Sequence, residues 1–379
     1  MTYCLNIDWL AIHCHYCPAS TSASDVDADP RRPFEQWEPV DYDEDTLDGR
    51  YPFRYKLADY GTRQFSRLHF VSMPNAEGGR DDFAEVQSAP YSGILNRQSI
   101  IVRFVNRVLY MPDFWQLLEI FLRDNHFQFQ GISRIDICAD FNDFACISPK
   151  GLIEDFASKV LRHVGRGVGA LYFDHGVKKG DYGVEYTGLS FGTHKSDARI
   201  YLYNKSKELR EVKDKPYIRD QWTAAGLDVR NVWRLEVSIS AKGCQFRCKA
   251  TGKTVTIDTT SASDEDELDK IYQSFVTKMF AFVWNRPGIT NITREPRLPL
   301  FGSDPVCYQR APIRNVSCSN KMQRMIIKAL YQLGDLYRGA SNIESADIAQ
   351  SFAVNIAEST DLAEWMSEKV NEWERPTHI

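Results

Sequence analysis

Arg199-Ile-Tyr-Leu-Tyr-Asn-Lys205 alternates polar and apolar residues one for one, the period of a β-strand with one face on a core. Ile200 and Leu202 go inward; Arg199, Tyr201, Tyr203 and Lys205 go the other way. Two further stretches answer it. In Arg134-Ile-Asp-Ile-Cys-Ala-Asp140 the inward set is Ile135, Ile137 and Ala139, leaving Arg134, Asp136, Cys138 and Asp140 outward. In Trp233-Arg-Leu-Glu-Val237 the inward set is Trp233, Leu235 and Val237, with Arg234 and Glu236 outward. If the three strands share a sheet, one of its faces collects phenols, carboxylates and cations. That set suits attack of a tyrosine on a phosphate with help from a metal ion.

Working outward, a chain of 379 residues suggests two domains, or one large domain with an appendage. The content of 43% hydrophobic and 26% charged residues is that of an ordinary soluble globular protein. No apolar run approaches the ~20 residues of a membrane helix. The start, Met1 to Leu10, lacks the basic end and long apolar core of a signal peptide. Nine scattered cysteines argue for reduced thiols. A cytoplasmic location, in a bacterial host, is the expectation. The net charge of −5 argues mildly against nucleic acid as a partner, but its distribution is uneven. Residues 18–50 hold roughly ten acids against three bases, whereas 194–219 hold roughly eight bases against four acids.

Along the chain, residues 3–16 read as a long strand. Residues 17–50 form a Ser/Asp/Pro-rich acidic insertion, expected to be a solvated or disordered loop. Residues 51–73 and 98–110 alternate as antiparallel strands. Helices are expected over 111–124, with Pro112 in the first turn, and over 148–163, opened by Ser148 and Pro149. Short strands broken by glycines fill 169–205, and a charged, initially helical segment spans 206–219. A basic turn lies at 242–249 and an acid-led helix over 263–284. The proline-rich stretch 286–317 reads as a linker, and 320–338, 344–357 and 359–373 as amphipathic helices. The expected organisation is a domain over 1–300 carrying the 17–50 insertion, a linker over 301–319 and a helical C-terminal module over 320–379.

The three strands, with Gly188-Leu-Ser-Phe-Gly-Thr-His-Lys-Ser-Asp197 leading into the first, occur in an order that resembles the replication initiation factor family. These are rolling-circle initiators of plasmids, of the Rep_trans type, with relatives in filamentous phages and conjugative elements. The likeness covers about residues 130–240. It implies a rolling-circle replication initiator that nicks one strand of origin DNA through a tyrosine, leaving a 5′-phosphotyrosine link and a 3′-hydroxyl primer. By position in the Tyr-Asn-Lys segment it implies Tyr203 as nucleophile, with Tyr201, on the same face, in reserve. A phenol has a reference pKa near 10, so it needs a metal or a nearby cation to attack at neutral pH. Tyrosine is also simply common on half-buried strands.

Asp136 and Glu236 are the candidate ligands of Mg²⁺ or Mn²⁺, which take oxygen donors. Ion pairing with Arg134 and Arg234 is their plainer role. Asp140 shares Asp136's face, but four residues along a strand is ~13 Å, so it supports the site or binds the ion only if a bulge intervenes. Lys205, Arg199 and Arg234 could neutralise the scissile phosphate. Arg134, Lys195, Lys207, Arg210, Lys213 and Lys215 could contact DNA more widely, although solvated charge is the plainer reading of each.

His13-Cys14-His15 approximates the histidine–hydrophobe–histidine (HUH) metal pair of a neighbouring nickase class. The resembling family uses carboxylates instead, so the role of His13 and His15 stays open. A zinc site from Cys14, Cys17, Cys244 and Cys248 is a weaker alternative to buried thiols. No GxxxxGK[ST] loop is present, so unwinding calls for a host helicase, and extension of the primer for a polymerase.

The expected fold is α+β: a mainly antiparallel sheet backed by helices, HUH-like in architecture without a clear HUH motif, plus the helical module. The expected partner is single-stranded or hairpin origin DNA, with no membrane, and a homodimer is left open. Three rival functions are a relaxase for conjugative transfer, a metal nuclease that uses water, and an origin or operator binder without catalysis.

Overall fold

The computed structural model describes residues 2–17, 37, 39, 53–91, 98–165, 169–178, 181–193, 196–248, 254–289, 291–302 and 310–311. The side chains of 173–178, 181–185, 246–248 and 310–311 are outside that description. The chain divides into two units, Met1–Ile313 and Arg314–Ile379. The expected C-terminal helices, most of the 301–319 linker and nearly all of the acidic insertion lie outside the described residues.

The first unit is built on a ten-stranded antiparallel sheet backed by helices, the α+β arrangement expected. Its strands are β1 (Cys4–Tyr16), β2 (Arg54–Leu57), β3 (Phe65–Pro74), β4 (Arg80–Pro90), β5 (Ser99–Phe104), β6 (Phe127–Phe141), β8 (Gly169–Lys178), β9 (Asp181–Phe191), β10 (Ala198–Asn204) and β11 (Trp233–Ser240). Two short strands, β7 (Leu161–His163) and β14 (Phe282–Trp284), pair separately, as do β12 (Gln245–Cys248), β13 (Thr254–Thr256) and β15 (Arg310–Ala311). In the large sheet the order is β2-β3-β4-β5-β1-β6-β11-β10-β9-β8. The three motif strands are therefore neighbours at the centre, β6-β11-β10.

The helices are α1 (Phe114–Asp124), α2 (Pro149–Ala157), α3 (Lys205–Glu211), α4 (Pro216–Ala224), α5 (Thr259–Ser263) and α6 (Glu265–Met279). One face of the sheet packs under α1, α2 and α6. Their apolar residues, among them Phe121, Leu152, Ile153, Ile271 and Phe275, join Ile135, Ile137, Ala139, Ile200, Leu202, Leu235 and Val237 in one core. The opposite face carries a second, smaller core: Tyr110, Leu209, Ile218, Trp222, Leu227 and Val232. Ile218 and Trp222 are four apart on α4 and so share one side of that helix. The face expected to be open is roofed at one end.

Several boundaries differ from the sequence reading. Strand β4 was not foreseen; its hairpin partner β3 was. The second helix stops at Ala157, and Lys159 follows with φ 63. That backbone conformation does not continue a right-handed helix, and the chain then enters β7. The 263–284 helix likewise ends at Met279 before β14. Helix α1 starts after Pro112, at Phe114. Trp37 belongs to the stretch expected to be solvated, yet it is 4% exposed and its ring meets those of Tyr55, His69 and Phe127. At least one residue of the acidic insertion is a core residue. Trp37→Ala should cost about 3–5 kcal/mol in urea unfolding, the range for a buried large aromatic. A change below about 0.5 kcal/mol, the surface range, would return the residue to a solvated loop.

Candidate active site

The central strands align their outward residues in rows. Tyr203 pairs with Arg234, Arg234 with Asp140 and Asp140 with Cys4. The next row is Tyr201, Glu236, Cys138 and Asn6; the third is Arg199, Ser238, Asp136 and Trp9. Between Ile7 and Trp9 the register of β1 slips by one residue. Such a bulge re-aims a side chain, and the one it inserts is Asp8.

The first row is closed. Arg234 is 0% exposed. Its Nε donates to Asp140 Oδ1 at 2.6 Å and its Nη2 to Asp140 Oδ2 at 2.7 Å. Its Nη1 pairs with Asp8, and Nη2 also reaches the Tyr110 hydroxyl at 3.1 Å. Trp222 Nε1 donates to Asp140 Oδ2 at 2.7 Å, and the Tyr110 hydroxyl to Asp8 Oδ1 at 2.8 Å. Burial works against ionisation of Asp8, but the Arg234 guanidinium, then Lys205, then the Tyr110 hydroxyl outweigh it and hold the carboxyl below its usual range. Arg234 is thus enclosed by its partners. The expectation that it contacts DNA phosphate is corrected: α4 covers it, and its donors are spent on two acids. Asp140, also 0% exposed, has both oxygens occupied by Arg234 and Trp222.

Tyr203, at the end of the first row, reaches across to the second. The Tyr203 hydroxyl donates to Glu236 Oε2 at 3.1 Å and accepts from Lys205 Nζ at 3.4 Å. Lys205 was expected to extend the strand. Instead Asn204 caps a helix, its side-chain oxygen accepting from Lys207 N at 2.7 Å. The turn carries Lys205 back, 2% exposed, to Tyr203 and to Glu208 Oε2 at 2.8 Å. Gly188 opposes Tyr203 on β9. A Cβ there would lie 2.8 Å from Leu202 O and 3.4 Å from Tyr203 Cβ, so the close approach of the two strands needs glycine.

Tyr203 and Glu236 are half-buried. Burial, then the Glu236 carboxylate, pushes the Tyr203 phenol well above its ordinary value, and Arg234 pulls the other way. Burial first, and then Asp136 and Asp8, raise Glu236 to about 7, against the pull of Arg234 and Lys205. Asp136 is gripped by Arg134 through two bonds, Nε to Oδ1 at 2.9 Å and Nη2 to Oδ2 at 2.6 Å. Tyr201 lies under the Arg199 guanidinium, 3.9 Å from its ring centroid. Arg199 Nη2 reaches the Tyr172 hydroxyl at 3.2 Å.

The structure thus brings Tyr203, Lys205 and Glu236 into direct contact, with Asp136 in the neighbouring row. The peripheral cations scatter. Arg210 is exposed, beside Arg230 O at 3.4 Å, Lys213 is exposed, and Lys215 Nζ donates to Asn106 Oδ1 at 2.9 Å. Lys195 lies outside the described residues. His13 and His15 share a face, ring centroids 5.1 Å apart, and His13 Nε2 is 3.3 Å from Ser99 Oγ. Sequence reading missed Asp8, Tyr110 and Trp222.

Among the described residues, no group of three or more His, Cys, Asp or Glu forms a metal nest. Of the expected ligands, Asp136 has both oxygens bonded to Arg134 and Asp140 both bonded to Arg234 and Trp222, which leaves Glu236 as the expected carboxylate not paired with an arginine.

No family model and no curated protein matches the chain. A solved structure of a rolling circle replication initiator protein from Geobacillus stearothermophilus is similar. Its TM-score is 0.41 at 12% identity, over 79% of this chain and 94% of that one. No described helix is long and apolar enough to cross a membrane.

Two outcomes follow for stability. Asp140→Ala strands a buried guanidinium and should cost about 3–5 kcal/mol, read as a drop in urea midpoint; an unchanged midpoint would contradict the pairing. Glu236 has its folded pKa raised, so the folded state binds the proton more tightly than the unfolded one. Its contribution is therefore favourable below the ordinary carboxyl range and is lost as pH rises through about 7. Glu236→Gln should match wild type near pH 4.5 and exceed it by on the order of 2 kcal/mol at pH 8 without divalent ions. The opposite order in urea titrations would refute the burial of that carboxyl.

Proposed function

We propose that the protein is a DNA strand-nicking and -closing enzyme of the rolling-circle initiator kind, with Tyr203 as nucleophile. The observation that carries this reading is the phenol held between a carboxylate at 3.1 Å and an ammonium at 3.4 Å on the half-open face of the sheet. A buried phenol is a poor nucleophile unless its proton has somewhere to go and its oxyanion has a partner. Glu236, raised to about 7, is matched to accept a proton near neutrality. Lys205 faces the charge left on the oxygen.

The step balances without an external reactant. Tyr203 Oη bonds to the scissile phosphorus, the P–O3′ bond breaks, and the tyrosyl proton passes to Glu236. The departing 3′ oxygen takes a proton from solvent water, to which Glu236 later returns the tyrosyl proton, and becomes a 3′-hydroxyl, the end a polymerase extends. The 5′-phosphate stays on Tyr203 as a phosphodiester, and attack by a 3′-hydroxyl reverses the step and closes the strand. Glu236 and Asp136 would hold Mg²⁺ or Mn²⁺ only once Arg134 gives up its bonds to Asp136, and the ion would then polarise the phosphate. Arg134, its side chain 47% exposed beside Asp136, and Arg199 would position the strand's phosphates around the nick. The substrate on this reading is single-stranded or hairpin origin DNA, with a host helicase opening the duplex.

Incubation with a hairpin-bearing single-stranded oligonucleotide and Mn²⁺ tests the reading on a denaturing gel. Wild type and Tyr201→Phe should form a covalent adduct, Tyr203→Phe none. Glu236→Gln should slow adduct formation by ~10²–10⁴-fold, the usual worth of a general base. An adduct on Tyr203→Phe removes the assigned nucleophile. Cleavage without an adduct would mean that water attacks, and binding in EDTA with no cleavage under any metal would leave a binder.

A further inference from the structure

At the end of β10, across the sheet from the Tyr203 hydroxyl, lies a cavity of about 330 Å³. It is within the size range of ligand sites and takes no part in the nicking chemistry. Tyr203 and Asn204 are consecutive on a strand, so their side chains leave on opposite faces. Asn204 pairs with Trp233 on β11, and both line the cavity together with Tyr186, Asn231, Lys150 and Lys207.

The polar lining consists mainly of donors. Asn204 spends its side-chain oxygen on Lys207 N at 2.7 Å. Asn231 spends its own on Trp233 Nε1 at 3.3 Å. Each amide therefore has its NH₂, a pure donor, left to offer a ligand. Ser148 Oγ accepts from Gly151 N at 3.1 Å, which leaves its hydroxyl proton to donate. Lys150, loosely paired with Glu154 at 3.9 Å on the exposed side of α2, and Lys207 add positive charge, and Asp143 is the single carboxylate in the lining. Two aromatic residues line the same space, the half-buried Tyr186 and the largely buried Trp233, which is 5% exposed. Donors, cations and aromatic side chains in one half-open cleft match a ligand that is anionic at one end and flat and rich in acceptors at the other.

We infer that this cavity holds one nucleotide of the DNA strand, its base against Tyr186 and Trp233 and its phosphate toward Lys150 and Lys207, at a position flanking the nick. The inference rests on the reading of the chain as acting on single-stranded DNA, and deepens it. A strand whose scissile phosphate lies at Tyr203 reaches the cavity by turning over the end of β10, one residue further on. Unpaired bases can swing out of the strand to be held in this way, whereas paired ones cannot without cost. The cavity thereby selects unpaired DNA beside the nick and fixes which phosphate meets Tyr203.

The test uses the full chain and a Lys150→Ala/Asn231→Ala double variant. Lys150 and Asn231 are exposed, and matching thermal unfolding verifies the fold. An origin-type oligonucleotide is made abasic one position at a time, and binding is read by fluorescence anisotropy. In wild type one position beside the nick should weaken binding on the order of tenfold, the scale of one lost base stack. The double variant should bind the intact strand weaker by a similar factor and lose its sensitivity at that position. Equal affinity of the two proteins for the intact strand, or identical abasic profiles, overturns the inference. Titration with the four deoxynucleoside monophosphates reads the cavity without any strand. Saturable binding by wild type and by Tyr203→Phe, absent from the double variant, is expected; no binding by wild type also overturns it. Adduct formation is scored separately, so loss of the adduct with binding intact sinks the nicking chemistry and spares the cavity.

Discussion

One buried guanidinium sets the geometry of the site. Arg234 is enclosed by Asp140 from β6, Asp8 from the bulge of β1 and the Tyr110 hydroxyl, while Trp222 of α4 secures Asp140 from the other side. Removing such a charge from water is costly, and the cost is offset only while every partner stays in place. The three strands and the covering helix must therefore keep one register. Tyr203 is the cross-strand neighbour of this arginine, so the register that satisfies Arg234 is also the one that lets the phenol reach Glu236. The buried pair acts less as a source of stability than as a device that excludes other registers.

The same face is divided by that arrangement. Near Arg234 it is roofed by apolar residues of α3 and α4. Beyond it, Glu236, Tyr201 and Arg199 are only partly buried and Arg134 is exposed. Tyr203 stands at the boundary between the roofed part and the open part. There, burial keeps the phenol protonated at rest. The strand-to-helix turn at Asn204 supplies the second constraint, because it folds Lys205 back onto the phenol it follows. The phenol, the carboxylate that accepts its hydrogen bond and the ammonium that donates to it come from one strand, its neighbour and the first turn of the next helix.

Alternation in three short stretches made much of this readable in the sequence. It placed Tyr203, Glu236 and Asp136 on one face, and adjacency of β6, β11 and β10 brought them together. Alternation tells which face a residue takes, but not what lies over it. Arg234 and Asp140 were correctly turned outward and still proved fully buried, because the apolar pair Ile218 and Trp222 sits in a segment dominated by charge. Asp8 was hidden by the bulge, since a one-residue slip in register leaves no mark in the composition of β1. Lys205 was misplaced because Asn204 looks like strand until its capping role is seen. Trp37 lies between Phe34 and Tyr42 in an acidic stretch whose aromatic residues follow no strand or helix period.

Mass-spectrometric mapping of the protein–DNA adduct tests the central claim most directly. Tryptic digestion releases residues 200–205 as one peptide holding both tyrosines of the strand, and fragmentation separates them. The account predicts a deoxynucleotide phosphodiester on Tyr203 in wild type. A modification on Tyr201, on a residue outside this peptide, or no modification under conditions where the strand is cut would contradict it.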